Sequence, residues 1–383
     1  MRKWIALPVI LLLVVISNLS QAQKSIVYVG TYSQRGSQGI YVFQFDRVKA
    51  TLKQIQTVPG LESPTFLTVD NTGRFLYSVN RGRADVNDKG GSVSAYAIDA
   101  KTGHLSGLNT RSSYGEAPCF ISLDRSGKHA FICNYLGSNM LVLPVFRDGL
   151  LGVPSDSKKY FGSSVNTERQ SEPHIHSSYP SPDNRFLYVC DLGTDKVYVY
   201  QFDAATGRLS DAQIPFTSVA PGSGPRHLAF HPNGKFAYLV EELTSTVCVF
   251  GVNTETGALT VVQDTVRALP SGFTGTNTSA DIHLHPNGKF LYMSNRGHNS
   301  ISLFSVGSDG LIKLIDVLAI AGKTPRNFMI DPRGEFMFVA NQDSDTILLF
   351  RIDPKTGRLK PVGKPTPVPA PACLAGLELK MKN

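Results

Sequence analysis

The chain has 383 residues, 42% of them apolar and 18% charged, with 34 Gly and 23 Pro; so many turn formers exclude a long coiled coil, and so few charges exclude a disordered polyelectrolyte. The formal net charge of +8 is spread without any run of five or six Lys or Arg, which describes a solvated basic surface and argues against a nucleic-acid partner. Length alone would suggest two or three domains of about 150 residues each, a count that the internal repeats replace.

Residues 1–22 read as a secretory signal. Arg2 and Lys3 precede an apolar stretch from Ile5 to Ile16, and Ser20-Gln21-Ala22 offers small residues where a signal peptidase needs them. The stretch is short for a membrane span, which needs about 20 apolar residues, and no other segment approaches that length. The expected product is therefore exported, periplasmic or secreted, with no membrane span after cleavage. Residues 23–383 are expected to form a single domain.

From residue 64 onward one motif recurs: Pro, a variable residue, an apolar run, Asp or His, a turn, then an aromatic run ending near Asn. It reads PTFLTVDNTGRFLYSVN from Pro64, PCFISLDRSGKHAFICN from Pro118, PRHLAFHPNGKFAYLVE from Pro225 and PRNFMIDPRGEFMFVAN from Pro325, with variants from Ser178 and Ser279. The six turns fall at Gly73, Gly127, Asn184, Gly234, Gly288 and Gly334, spaced by 46 to 57 residues. A second apolar motif follows each, as in DKVYVYQFD from Asp195, and one more precedes them all, GIYVFQFD from Gly39. The unmatched halves lie at the ends: SIVYVGT from Ser25 resembles the close of the first motif, and Pro371-Ala372-Cys373-Leu374 resembles its opening. Seven units of four short antiparallel strands, one completed by both termini, predict an all-β, seven-bladed propeller. Closing the ring with a split blade removes the free edges that an open array would expose.

Five cysteines, an odd number scattered over a long chain, exclude a dense disulfide framework and match no zinc ligand spacing. Cys119 and Cys133 fall nearly opposite each other in one hairpin, but cross-strand bridges strain the bond geometry, so free thiols are expected. No phosphate-loop, zinc-protease or nucleophile-elbow motif is present, and neither a metal nor an organic cofactor is expected. Trp4, the single tryptophan, belongs to the signal, which excludes sugar binding by tryptophan stacking.

Up-and-down strands place the start of each innermost strand and the end of the second on one face. The insertions at 80–90, 151–172 and 266–278 fall on that face, the usual place for a site on a rigid scaffold. The residue after the Pro position is Thr65, Cys119, His176, Arg226, Ala280 and Arg326 in successive units; eight residues past the turn stand Arg81, Tyr135, Leu192, Glu242, Arg296 and Gln342. A structural position should repeat one residue type, whereas these vary and carry titratable groups. His176, Arg226, Glu242 and Arg296 are the candidate site. His174 lies on the same side of its strand as His176, and the choice between the two stays open. His227 is expected to point away and pack between blades, while His231 and His285 serve their turns.

Three neighbouring stretches, HIHSSYPSPDNRFLYVCDLGTDKVYVYQFD, GSGPRHLAFHPNGKFAYLVEELTSTVCVF and LYMSNRGHNSISLFSV, resemble the seven-bladed-propeller lactonases. That family contains one type of 6-phosphogluconolactonase and the carboxy-cis,cis-muconate cyclase. The resemblance implies a site of one His, two Arg and one Glu, which fall on His176 or His174, Arg226, Arg296 and Glu242. It implies hydrolysis of a small anionic lactone. Lactone formation by the same groups is one alternative, and a non-catalytic exported propeller binding a ligand or protein partner is another. Ring opening needs an activated water, an oxyanion stabiliser and a proton for the leaving alkoxide. In this reading Glu242 is the base, with Glu241 as its fallback, Arg226 and Arg296 hold the anionic group, and His176 donates the proton. His174, Arg81, Arg326 and Gln342 complete the substrate site. Glu242→Gln is expected to abolish activity with little loss of folding, and the ring is expected to act as a monomer.

Overall fold

The computed structural model describes residues 24–82 and 90–379. The expected signal, residues 1–22, and part of the 80–90 insertion lie outside the described residues. Seven four-stranded antiparallel sheets form the blades of a ring, as the repeats predict. We number the blades from the one the termini share. In that first blade the C-terminal strand Pro371–Leu379 is innermost and pairs with Lys24–Thr31, Val27 opposite Gly376.

Inner and outer strands differ in composition for a physical reason. Each blade is sandwiched between two others, so its middle strands are buried on both faces and read as continuous apolar runs: every residue of His129–Asn134 and Phe336–Asn341 is buried. Outer strands such as Thr51–Pro59 face solvent and hold no fully buried residue. The core is correspondingly divided into seven apolar clusters, each drawn from two adjacent blades. One outer strand departs from expectation. That of blade 3 is only Asp156–Lys159 and lies inside the segment read as an insertion, so the free loop is shorter, residues 160–174.

Adjacent blades are also latched by hydrogen bonds. The second-strand tyrosines Tyr28, Tyr77, Tyr188, Tyr238 and Tyr292 are buried, and each hydroxyl donates to a glycine carbonyl in the outer turn of the next blade, Tyr238 to Gly310 at 3.1 Å. Blades 3 and 7 carry Phe131 and Phe338 at this position, and these pack edge-on against Phe202 and Phe45 instead.

The same strands end on two different rims. At the turn rim, Asp70 Oδ1 accepts from the amides of Arg74 (2.7 Å) and Phe75 (2.8 Å), and Asp331 does the same in blade 7. His285 replaces the aspartate in blade 6: its Nδ1 accepts from the Asn287 amide and its Nε2 donates to the Gly334 carbonyl of the next turn. At the opposite rim every innermost strand carries a β-bulge against its neighbour. In blade 5, Pro225 faces Glu241 and His227 faces Val240, leaving Arg226 as the extra residue. The bulge falls at the position after the proline in blades 2, 3 and 7, and at its counterparts His176 and Ala372. Blade 6 has a wider irregularity between Ser279 and Ile282.

Candidate active site

A bulge re-aims side chains and ends regular pairing, and seven of them at one mouth of a ring direct unlike residues into a shared space. That space is a cavity of about 980 Å³, with Arg81, Arg296, Arg326, Glu242, Tyr135 and His176 on its wall. Arg169, from the loop 160–174, completes the wall. Its charged groups are four guanidinium groups against the two carboxylates Glu62 and Glu242.

Glu242 is the centre of this charge cluster. Its side chain is almost wholly buried, and both oxygens are committed: Oε2 accepts from Arg226 Nε (2.8 Å) and forms an ion pair with Arg296 Nη2 (3.1 Å), which donates to the Ser279 carbonyl, while Oε1 accepts from Arg169 Nη2 (2.7 Å). Burial alone would raise its pKa, but the three guanidinium groups outweigh it and hold the carboxyl well below the usual carboxylate range. Arg296 is pushed down to about 10 by burial, with Glu242 working against the shift. Its Nε is buried without a hydrogen-bond partner among the described residues. Arg226 is 2% exposed, and its Nη1 donates to the Ala280 carbonyl (2.7 Å) and to His227 Nε2 (2.9 Å).

His176 lies on the cavity wall, and its Nδ1 is buried without a hydrogen-bond partner among the described residues. Burial, followed by the charges of Arg226, Arg326 and Arg296, drives its pKa well below the ordinary value. It is therefore a neutral imidazole at neutral pH. His174 is separated from the cavity by Tyr135: their rings stack at 4.3 Å, and His174 Nδ1 bonds the Tyr135 carbonyl. His174 therefore lies behind the wall that His176 lines. Gln342 also sits off the wall and accepts from Arg326 Nη1 (3.4 Å). The Arg326 guanidinium lies over the Tyr32 ring at 5.2 Å, and Arg81 takes no side-chain partner among the described residues.

Glu241 points out of the cavity. It accepts from Thr246 Oγ1 in the next strand, and burial pushes its pKa up to about 7. With Cys248 and Asp264 it forms a group whose ligand atoms lie within 4.8 Å of one another, but none of the three lines the cavity. All five cysteines are free and buried; Cys133 Sγ donates to Ser178 Oγ at 3.3 Å.

His227 departs from expectation. It does not pack between blades but enters the channel beneath the cavity, where its ring meets Phe66, Phe120 and His176. The bulge at Arg226 is the reason: with two residues opposite one, strict alternation fails and both side chains turn inward. His227 Nδ1 donates to Asp281 Oδ1 (2.7 Å), and His283 Nε2 donates to Oδ2 (2.9 Å). Burial brings the His227 pKa down to about 4. Asp281 stays ionised against its own burial through these partners.

The family model for the seven-bladed β-propeller lactonases matches residues 26–375. The chain belongs to that family. A 6-phosphogluconolactonase of Bacillus subtilis is 35% identical over 352 residues, 92% of this chain and 98% of its own. One from Formosa agariphila is 34% identical, covering 87% and 94%. Among solved structures, the periplasmic gluconolactonase of Pseudomonas aeruginosa superposes with a TM-score of 0.88 at 33% identity, covering 93% of this chain and all of that one.

Two features of this lactonase propeller escaped sequence reasoning. Arg169 stands in a loop with no counterpart in other blades, so no alignment of repeats could select it; its one signal was that the loop lies on the cavity rim. Asp281 follows Ala280 at a rim position that held no functional group, and only the wider irregularity of blade 6 brings it under the cavity.

Proposed function

We propose that the protein hydrolyses a small lactone bearing an anionic group. The observation that carries this reading is the cavity itself, in which a neutral imidazole stands among guanidinium groups that outnumber the carboxylates. Names of relatives support the same class, since the Bacillus protein is a 6-phosphogluconolactonase and the Pseudomonas one a gluconolactonase.

The charge states reassign the roles expected from sequence. A neutral imidazole keeps one ring nitrogen free to accept a proton, whereas both Glu242 oxygens are occupied. His176 therefore takes the proton as water adds to the lactone carbonyl. Arg296 and Arg326 hold the substrate's anionic group and stabilise the oxyanion. Collapse of the tetrahedral intermediate breaks the ring C–O bond, and His176 returns its proton to the leaving alkoxide, giving the hydroxy acid. Glu242 holds Arg226, Arg296 and Arg169 in place. The chain is exported by residues 1–22 and acts as a monomer, because one ring supplies every group named.

The test is a panel of γ- and δ-lactones with and without carboxylate or phosphate groups, assayed from pH 5 to 8. Turnover should favour the anionic members. A base whose pKa lies below the ordinary histidine value is already deprotonated at pH 6.5, so kcat/KM should stay flat between pH 8 and 6.5. Activity that falls as pH rises through 6.5 would restore His176 as a cationic donor. Binding without turnover across the panel would make the protein a ligand-binding propeller. A cytoplasmic, uncleaved product on fractionation would overturn the export assignment.

A further inference from the structure

The three guanidinium groups on Glu242 are not equivalent. Arg226 and Arg296 grow from the rigid inner strands, and their side chains are 3% and 13% exposed; Arg169 comes from the rim loop and is 38% exposed. Among the described residues only its Nη2 is engaged, with Glu242 Oε1 (2.7 Å) and Tyr135 Oη (3.3 Å), which leaves Nε and Nη1 as free donors on the cavity wall. The backbone that presents it is pinned. Gln170 is wholly buried and donates to the Leu192 carbonyl and Asp195 Oδ1, both at 2.8 Å, and Ser164 Oγ donates to Asp195 Oδ2. Arg169 is thus a half-exposed cation on a fixed base whose side chain can change partners while its loop stays in place.

We propose that Arg169 is a positioning and specificity residue that exchanges Glu242 for the anionic group of the ligand. A carboxylate or phosphate entering the cavity offers Nε and Nη1 a paired acceptor that Glu242 does not. When the side chain moves to it, Glu242 Oε1 loses its one hydrogen-bond donor among the described residues and becomes an uncommitted acceptor on the cavity wall that His176 also lines. It then accepts a hydrogen bond from the attacking water, so recognition of the anion also orients the nucleophile. A neutral lactone leaves Arg169 on Glu242 and the water unheld.

The catalytic half of this proposal rests on the lactonase reading; the anion-binding half does not. Inorganic phosphate is titrated calorimetrically into the wild-type protein, Arg169→Ala and Arg169→Lys at pH 7. Loss of a charge-assisted pair should weaken phosphate binding about ten- to hundredfold in Arg169→Ala, with the lysine variant between. In the lactone assay the ratio of kcat/KM for anionic over neutral members should fall by a similar factor, with both KM and kcat affected for the anionic ones. Phosphate affinity within twofold of wild type, or no phosphate binding by the wild type, overturns the proposal. So does an equal loss on both classes of lactone, which would mark a purely structural arginine. If the wild type opens no lactone at all, the functional reading fails while the phosphate titration still decides the role of Arg169.

Discussion

The two rims of the ring are built from the opposite ends of the same strands, yet they use polar residues in opposite ways. At the turn rim, Asp70, Asp124 and Asp331 repeat one task, each accepting from two backbone amides. At the cavity rim, Thr65, Cys119, His176, Arg226 and Arg326 occupy one bulged position with four different chemistries. Repetition at one end satisfies a local backbone demand that every blade shares. Variety at the other end exists because these positions converge on one mouth, so a residue there faces groups from other blades and only the set has a function. The cost of losing a residue should therefore differ in kind between rims.

Glu242→Gln is the most severe case. Removing its charge leaves Arg226 and Arg296 buried without a counter-ion, and breaking a buried pair in this way costs about 3–5 kcal/mol. Both lactone turnover and the urea midpoint should drop sharply, in contrast to the benign folding expected from sequence. A variant with a wild-type midpoint would show that the cluster is far better hydrated than its burial implies.

His227, in the channel between the rims, should reveal itself through pH. Its folded pKa of about 4 lies below the ordinary 6.5, so between these values the unfolded chain binds more protons and stability is lost as pH falls. The loss is on the order of 3 kcal/mol from this group. Glu241, raised to about 7, has the opposite sign over nearly the same window and masks it in a single curve. His283, whose pKa is raised, contributes stability already present below 6.5 and adds no slope there. The clean measurement is a difference: His227→Gln should gain stability relative to wild type as pH falls from 6.5 to 4, read from urea unfolding at several pH values. A pH-independent difference would mean that His227 titrates normally.

Tyr238→Phe probes the turn rim and should do least. It deletes one inter-blade hydrogen bond to Gly310, worth about 1 kcal/mol, and Phe131 and Phe338 already show that a ring without the hydroxyl fits this position. Melting temperature should fall by a few degrees with kcat/KM unaltered. A change in kcat/KM would show that the two rims are mechanically coupled.

The contrast between rims also explains what could be read in advance. Gly73, Gly127, Asn184, Gly234, Gly288 and Gly334 all adopt positive φ, a demand imposed by a local turn and so written locally in each repeat. From their spacing the blade count, the split blade and the cavity face followed. Counting along the strands aimed His176, Glu242, Arg296, Arg81, Arg326 and Arg226 at the mouth; the first five line the cavity wall, and Arg226 lines a smaller pocket adjoining it. His174 and Gln342 missed the wall because Tyr135 and Arg326 stand in front of them. His227 was misplaced because a bulge breaks alternation without any residue that announces it.

The sequence by itself determined the seven-fold repeat, the closure of the ring and the rim where unlike residues gather, because turns and alternating strands are encoded over a few residues. Only the tertiary structure decided the protonation of His176, the sharing of Glu242 among three arginines and the entry of Arg169 from a loop. These depend on burial and on charges brought together from separate blades, and the distance between two blades is set by the closed ring and by no segment of the chain alone.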